Sequence, residues 1–170
     1  ALHLAFPDSV MMNRGNHEDY AICVNYGFQM ECIDKYDELT FGMFIEVFQQ
    51  LPLFTIINSS IIVIHGGLFH CKDASLNELN KINRTGFTLQ DLPEEGEQLD
   101  AVGRDHEVDF LKQLQRDALW SDPIDVTGNH ESQRGAGVGF GPDITRQFLE
   151  LNNLKMVVRS HECVNSGYEE

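Results

Sequence analysis

Three short apolar runs each lead into a loop that carries histidine, and this repetition limits what the chain can fold into. Ile61-Ile62-Val63-Ile64 is followed at once by His65-Gly66-Gly67. Met156-Val157-Val158 is followed by Arg159-Ser160-His161-Glu162. Val10-Met11-Met12 leads, one residue later, into Arg14-Gly15-Asn16-His17-Glu18. Strands buried on both faces of a parallel-type sheet read as unbroken apolar runs. Open α/β proteins place their chemistry on loops leaving such strands, because the strand fixes the loop and the loop exposes its side chains. An α/β fold with three strand ends converging on one site is therefore expected, although His65 and His161 lie far apart in the chain.

The remaining segments fit around that frame. Residues 18–37 read as one or two helices broken near Gly27, and residues 41–51 as a largely buried helix, with apolar side chains at 41, 43, 44, 45, 47, 48 and 51. Residues 53–57, a polar Asn58-Ser59-Ser60 turn and Ile61–Ile64 read as a hairpin. Short helices are expected over 74–82 and 106–114, the second ending before Asp117. Pro123 marks a turn, and residues 124–141 read as a long glycine-rich loop. Pro142 and Asp143 suit the first turn of a helix running to about Leu151.

Composition narrows the class. A chain of 170 residues, 42% hydrophobic and 23% charged, can bury a core of its own. No apolar run approaches the length of a membrane span. Four cysteines without C-x-x-C spacing point to a reduced intracellular protein, cytoplasmic or nuclear, rather than a disulfide scaffold. The net charge is −15, and residues 91–109 hold eight acids against one arginine, which reads as a solvated acidic insertion. No basic stripe exists, so nucleic acid is not expected as a partner. The opening Ala1-Leu2-His3-Leu4-Ala5-Phe6 has no basic lead-in and no initiator methionine, so a piece cut from a longer protein is expected.

The loop residues carry usable chemistry. An asparagine oxygen is a neutral hard ligand and imidazole suits Zn, Fe or Mn, so Asn16, His65 and His161 can share one metal. His17 neighbours Asn16, points elsewhere and can act on a bound substrate as a proton donor. Gly66-Gly67 would let the backbone approach the site closely. Arg134, followed by Gly135-Ala136-Gly137, offers a fork for phosphate oxygens. Trp120 reads as packing. Gly128-Asn129-His130-Glu131 repeats the tetrapeptide at Gly15 but follows no apolar strand, and reads as a coincidence in a loop.

Taken in order, Arg14-Gly15-Asn16-His17-Glu18, His65-Gly66-Gly67, Trp120-Ser121-Asp122-Pro123, Arg134-Gly135 with Phe140-Gly141, and Arg159-Ser160-His161-Glu162 resemble the phosphoprotein phosphatases. These are metal-dependent serine/threonine protein phosphatases, and the likeness covers nearly the whole chain. Residues 13–19, Tyr26-Gly27-Phe28 and 159–168 look most like the branch bearing EF-hands, with the TPR-bearing branch next. The resemblance implies a metallophosphoesterase-type central β-sandwich flanked by helices, incomplete at both ends. It implies two metal ions (Mn, Fe or Zn), one of them on Asn16, His65 and His161. By the same resemblance His17 is the general acid and Arg134 binds phosphate. Implied partners are phosphoprotein substrates, with regulatory subunits or appended domains.

The departures shape the expectation as much as the match. The family motifs Gly-Asp-x-His-Gly and Gly-Asp-x-x-Asp-Arg-Gly, which supply the ligands of the first metal, do not occur before Arg14. The expectation is a single partial catalytic domain over residues 1–170, inactive by itself, from a parent that hydrolyses phosphoserine and phosphothreonine with a metal-activated water. The rival readings are a catalytically incompetent phosphatase-fold binding module and a metallophosphoesterase acting on nucleotides.

Overall fold

The computed structural model describes residues 1–85 and 106–169. Its frame is a three-stranded sheet in the order β1-β2-β6. Strands β1 (Phe54–Ile57) and β2 (Ile61–Ile64) form the expected antiparallel hairpin. Its turn needs left-handed backbone at Asn58 and Ser59, both at φ +50°, and short polar side chains tolerate that region best. Strand β6 (Met156–Arg159) joins the other side of β2 in parallel, with Ile61 opposite Met156 and Ile64 opposite Arg159.

Between β2 and β6 the chain supplies the layer that covers the sheet. Helix α6 (His106–Trp120) buries Leu114, Ala118 and Leu119, and α7 (Pro142–Leu151) buries Ile144 and Phe148. These side chains meet Ile62 and Ile64 of β2 and Leu68 and Phe69 just beyond it in one cluster. Each fully buried aliphatic or aromatic side chain of this kind contributes roughly 1.5–3 kcal/mol. A second small sheet, in the order β3-β5-β4, adds Phe140 to the same cluster; its strands are β3 (Asp122–Pro123), β4 (Asn129–Glu131) and β5 (Val138–Phe140). The result is the mixed α/β class expected, built from helices and two small sheets.

The N-terminal third is a separate helical layer. A short helix α1 (Leu2–Ala5) opens the chain. A single 3-10 turn (Asn16–Glu18) leads into α2 (Tyr20–Asn25), and the Asp19 side chain caps it by accepting from the Ala21 N–H. Gly27, at φ +90°, breaks the chain into α3 (Phe28–Lys35), and α4 (Glu38–Gln50) follows, capped by Asp37 on the Thr40 N–H at 2.7 Å. The helix over 74–82 is reduced to one turn, α5 (Leu76–Leu79).

Several expectations are corrected. Residues 10–12 are not a strand: no described strand runs beside them, and Met11 and Met12 are exposed. The segment is tied down by isolated bonds instead, Arg14 N–H to Pro52 O at 2.8 Å and the Asn13 side chain to Val63 O and Thr55 Oγ1. Helix α4 is not largely buried. Its apolar residues run around the whole helix, α3 covers one side, and only Phe41 is fully buried. Helix α6 runs on past residue 114 because the Asp117 carboxylate is satisfied inside the fold. It accepts from the His70 backbone N–H at 2.9 Å, from His70 Nδ1 at 2.6 Å and from Gln113 Nε2 at 3.0 Å. Residues 124–141 are not one loop but carry β4 and β5. Strands of two or three residues leave no period to detect. Of the acidic insertion expected over 91–109, residues 91–105 lie outside the described residues and 106–109 open α6.

Candidate active site

The parallel pairing of β2 with β6 does most of the positioning. Ile64 stands opposite Arg159, so His65 and Ser160 leave the sheet side by side. The Ser160 N–H bonds to His65 O at 3.1 Å, and its hydroxyl lies 3.1 Å from His65 Nδ1. His161 then turns through a left-handed φ of +72°, a conformation that costs a non-glycine residue about 1–2 kcal/mol. The turn brings its ring edge-on to His65, with centroids 4.9 Å apart and Nδ1 at 3.1 Å from His65 Nε2. Asn16, buried in the 3-10 turn, places Oδ1 at 2.8 Å from the same Nε2. The three residues singled out for one metal thus meet around one atom.

Local sequence explains how Asn16 reaches that place. A Cβ on Gly15 would lie 3.1 Å from the His65 ring and 2.8 Å from Glu18 Oε2, so a larger residue would press on the imidazole and displace the Glu18 side chain. The Gly15 N–H donates to the same Glu18 oxygen at 2.8 Å. Arg14 is buried, with Nε on Glu18 O at 3.0 Å and a terminal nitrogen on Arg84 O at 3.2 Å. Arg14 therefore locks the turn from inside.

The electrostatics suit cation ligands. Burial pushes the His65 pKa down, and Arg159, His17 and Arg134 add to this against the opposing pull of Glu18. Burial, then Arg134 and His65, lowers His161 to about 4. Both rings are therefore neutral at pH 7, the form in which histidine binds metal. With the His65 proton on Nδ1 toward Ser160, lone pairs of Asn16 Oδ1, His65 Nε2 and His161 Nδ1 face one another with no positive charge among them. His161 Nε2 is also buried, without a hydrogen-bond partner among the described residues. Ligand bonds of roughly 2.1 Å set adjacent donors about 3 Å apart at octahedral angles and about 3.4 Å apart at tetrahedral ones, against the 2.8 and 3.1 Å found. The donor set fits a divalent cation. Among the described residues no group of three His, Cys, Asp or Glu side chains gathers to hold a metal, and this cluster owes its third donor to an asparagine.

Arg134 reaches the cluster from the turn between β4 and β5. Its Nε lies 2.5 Å from Asp122 Oδ2, and a terminal nitrogen lies 3.4 Å from His161 O. Asp122 is held in turn by Arg159 Nη2 at 2.6 Å, while Arg159 Nε donates to Gly66 O at 2.5 Å. Burial raises the Asp122 pKa, but the bonds from Arg134 and Arg159 together outweigh it and hold the carboxyl below its usual range. The hydrogen bond to Asp122 raises the Arg134 pKa in return. His17 is exposed beside Asn16, its ring edge-on to Tyr26 at 5.5 Å, with no hydrogen bond to that ring among the described residues. Trp120 packs in the core and also stands edge-on to His161 at 5.8 Å.

Other roles differ from expectation. Gly66 and Gly67 serve packing rather than approach to the site. A Cβ on Gly66 would lie 2.5 Å from the Leu119 backbone, and one on Gly67 would collide with the Phe140 ring. The second Gly-Asn-His-Glu forms strand β4 rather than part of a loop, and Asn129 donates to His70 O at 2.8 Å. Gly15, Asp122 and Ser160 were not singled out from sequence. Asp122 and Ser160 lie inside conspicuous motifs, but spacing does not say which motif meets which.

Comparison with known proteins places the chain in a family. The family model described as calcineurin-like phosphoesterase matches residues 1–165. Serine/threonine-protein phosphatase T of Schizosaccharomyces pombe is 40% identical over 99% of this chain and 32% of its own length. Human serine/threonine-protein phosphatase 5 is 37% identical over 98% of this chain and 29% of its own length. A solved protein serine/threonine phosphatase from Saccharomyces cerevisiae, with similarity to human phosphatase PP5, superimposes with a TM-score of 0.69 at 36% identity, over 96% of this chain and 44% of that one. The chain thus spans about a third of the curated relatives it matches. With a family match over all but its last five residues, the chain belongs to the calcineurin-like phosphoesterases.

Proposed function

We propose that this chain is the later part of a catalytic domain that removes phosphate from phosphoserine and phosphothreonine in proteins. The observation that carries the reading is the meeting of Asn16, His65 and His161 around one point, with the Arg134 guanidinium beside it. The relatives named as serine/threonine phosphatases support the substrate class. The family is metal-dependent. Asn16, His65 and His161 would hold one cation, which when bound supplies Lewis-acid activation of water and of the phosphoryl group.

The protein's own side chains account for the rest. Arg134 offers two N–H groups to phosphate oxygens, and Asp122, braced by Arg159, sets the plane of that fork. His17 donates a proton to the serine or threonine oxygen as its bond to phosphorus breaks. Its exposure beside Asn16 leaves room for a protein substrate to reach it. The Ser160 hydroxyl, 3.1 Å from His65 Nδ1, can accept a hydrogen bond from a proton held there, the tautomer that leaves Nε2 as a lone-pair donor to a cation. With one three-donor cluster among the described residues, the 170-residue chain by itself is proposed to be inactive.

The test is Mn²⁺-dependent hydrolysis of a phosphothreonine peptide and of a dinucleoside polyphosphate. It compares this chain with one extended to the length of its relatives. Turnover of the peptide by the extended protein alone, lost on His17→Asn, supports the proposal. Preference for the nucleotide would move the activity to another substrate class. No turnover of either substrate while Mn²⁺ binds would identify a phosphatase fold used for binding.

A further inference from the structure

We propose that the outward face of α4 docks a basic amphipathic helix of a partner protein. Leu39, Met43 and Val47 stand four residues apart and are 73%, 59% and 57% exposed. At that spacing they form one row along the helix. The opposite side already packs through Phe41, Ile45 and Phe48, so the row is not needed for the fold described.

Gly42 borders that row, three residues from Leu39 and four from Glu46, in the interior of a thirteen-residue helix. Glycine is among the poorest helix formers. A Cβ there would meet nothing within 4 Å, and the backbone at Gly42 is not left-handed. Nothing among the described residues calls for glycine at this point. What it does provide is room for another backbone to approach the helix closely.

Charge identifies the kind of partner. Residues 37–50 carry Asp37, Glu38 and Glu46 and no lysine or arginine. Asp37 is used as the cap of α4, whereas Glu46 lies in the outward face without an ion pair among the described residues. Pairing of two copies would bring together two chains of net charge −15. A helix with an apolar row to meet Leu39, Met43 and Val47, and a lysine or arginine opposite Glu46, matches both features. The surface shares no residue with the cluster at Asn16, His65 and His161 and does not depend on the catalytic reading.

The experiment is an anisotropy titration of the full chain, at physiological salt, with a labelled synthetic helix of leucine at i, i+3 and i+4 spacing and lysine elsewhere. The same helix with glutamate for lysine is the control. The lysine helix is expected to bind and the glutamate helix not. Gly42→Phe, and the combined Leu39→Ser, Met43→Ser and Val47→Ser variant, should each weaken binding at least about tenfold without lowering the melting temperature. Gly42→Ala should raise that temperature. Absence of binding would overturn the proposal. So would binding unchanged in both variants, which would reveal only general attraction to an acidic chain. A chain dimer dispersed by Gly42→Phe would assign the face to a second copy instead.

Discussion

Gly15-Asn16-His17-Glu18 and Gly128-Asn129-His130-Glu131 are the same four residues in two different structures. The first is a 3-10 turn whose buried asparagine faces His65 at 2.8 Å. The second is strand β4, whose asparagine donates to the main chain at Phe69 and His70 and whose histidine ring meets Thr127 O at 3.0 Å. Local sequence is identical, so the difference comes from what surrounds it. Arg14 locks the first turn from inside and the His65 ring lies over Gly15. Strand β5 pairs along the second copy, with Asn129 opposite Phe140. A motif becomes a site only where tertiary contacts aim it.

That contrast can be broken in graded ways. The largest effect is expected from the two histidines. In the extended protein, His17→Asn should lower kcat by roughly 10²–10⁴-fold, the usual worth of a general acid, with Mn²⁺ affinity unchanged; His130→Asn should leave kcat where it was. Steady-state kinetics on the two variants decides this. Next comes Asp122→Asn, which loosens Arg134. Loss of a hydrogen bond between charged groups, about 1.5–3 kcal/mol, should appear as a roughly tenfold or larger fall in kcat/KM and weaker inhibition by inorganic phosphate.

Smaller effects concern stability. Asn129→Ala removes two bonds to main-chain carbonyls and should cost about 1–2 kcal/mol in a denaturant melt without touching Mn²⁺ binding. The pH dependence is the mildest probe. The folded chain keeps His161 neutral down to about 4, while the unfolded chain protonates it near its ordinary value. The unfolded state therefore binds more protons in that window, and stability, fully present above about pH 6.5, falls as pH drops toward 4. Burial of His65 acts in the same direction. The metal-free melting temperature should fall between pH 7 and pH 4.5. His161→Asn, which tolerates the left-handed backbone, should flatten that slope.

The same contrast explains what could be read from the chain. The β1–β2 hairpin, β6 and α7 were legible because apolar runs, a polar turn and Pro142 are local signals. The pairing of His65 with His161 was legible because each follows such a run. Residues 10–12 show the same signal falsely: an apolar run becomes a strand only when another strand lies beside it. The full length of α6 depends on His70 satisfying Asp117 from 47 positions away, and β3, β4 and β5 depend on pairing among segments too short to show a period. Asp122 as the brace of Arg134 depends on Arg159, which no spacing connects to it. In each case the missing information is a contact between distant parts of the chain.

The most direct measurement is Mn²⁺ binding by calorimetry to the chain, to Asn16→Ala and to Asn129→Ala. One tight site per chain is expected, lost in Asn16→Ala and intact in Asn129→Ala. Equal binding by both variants, or equal loss in both, would contradict the claim that the first copy of the tetrapeptide is the one built into a cation site.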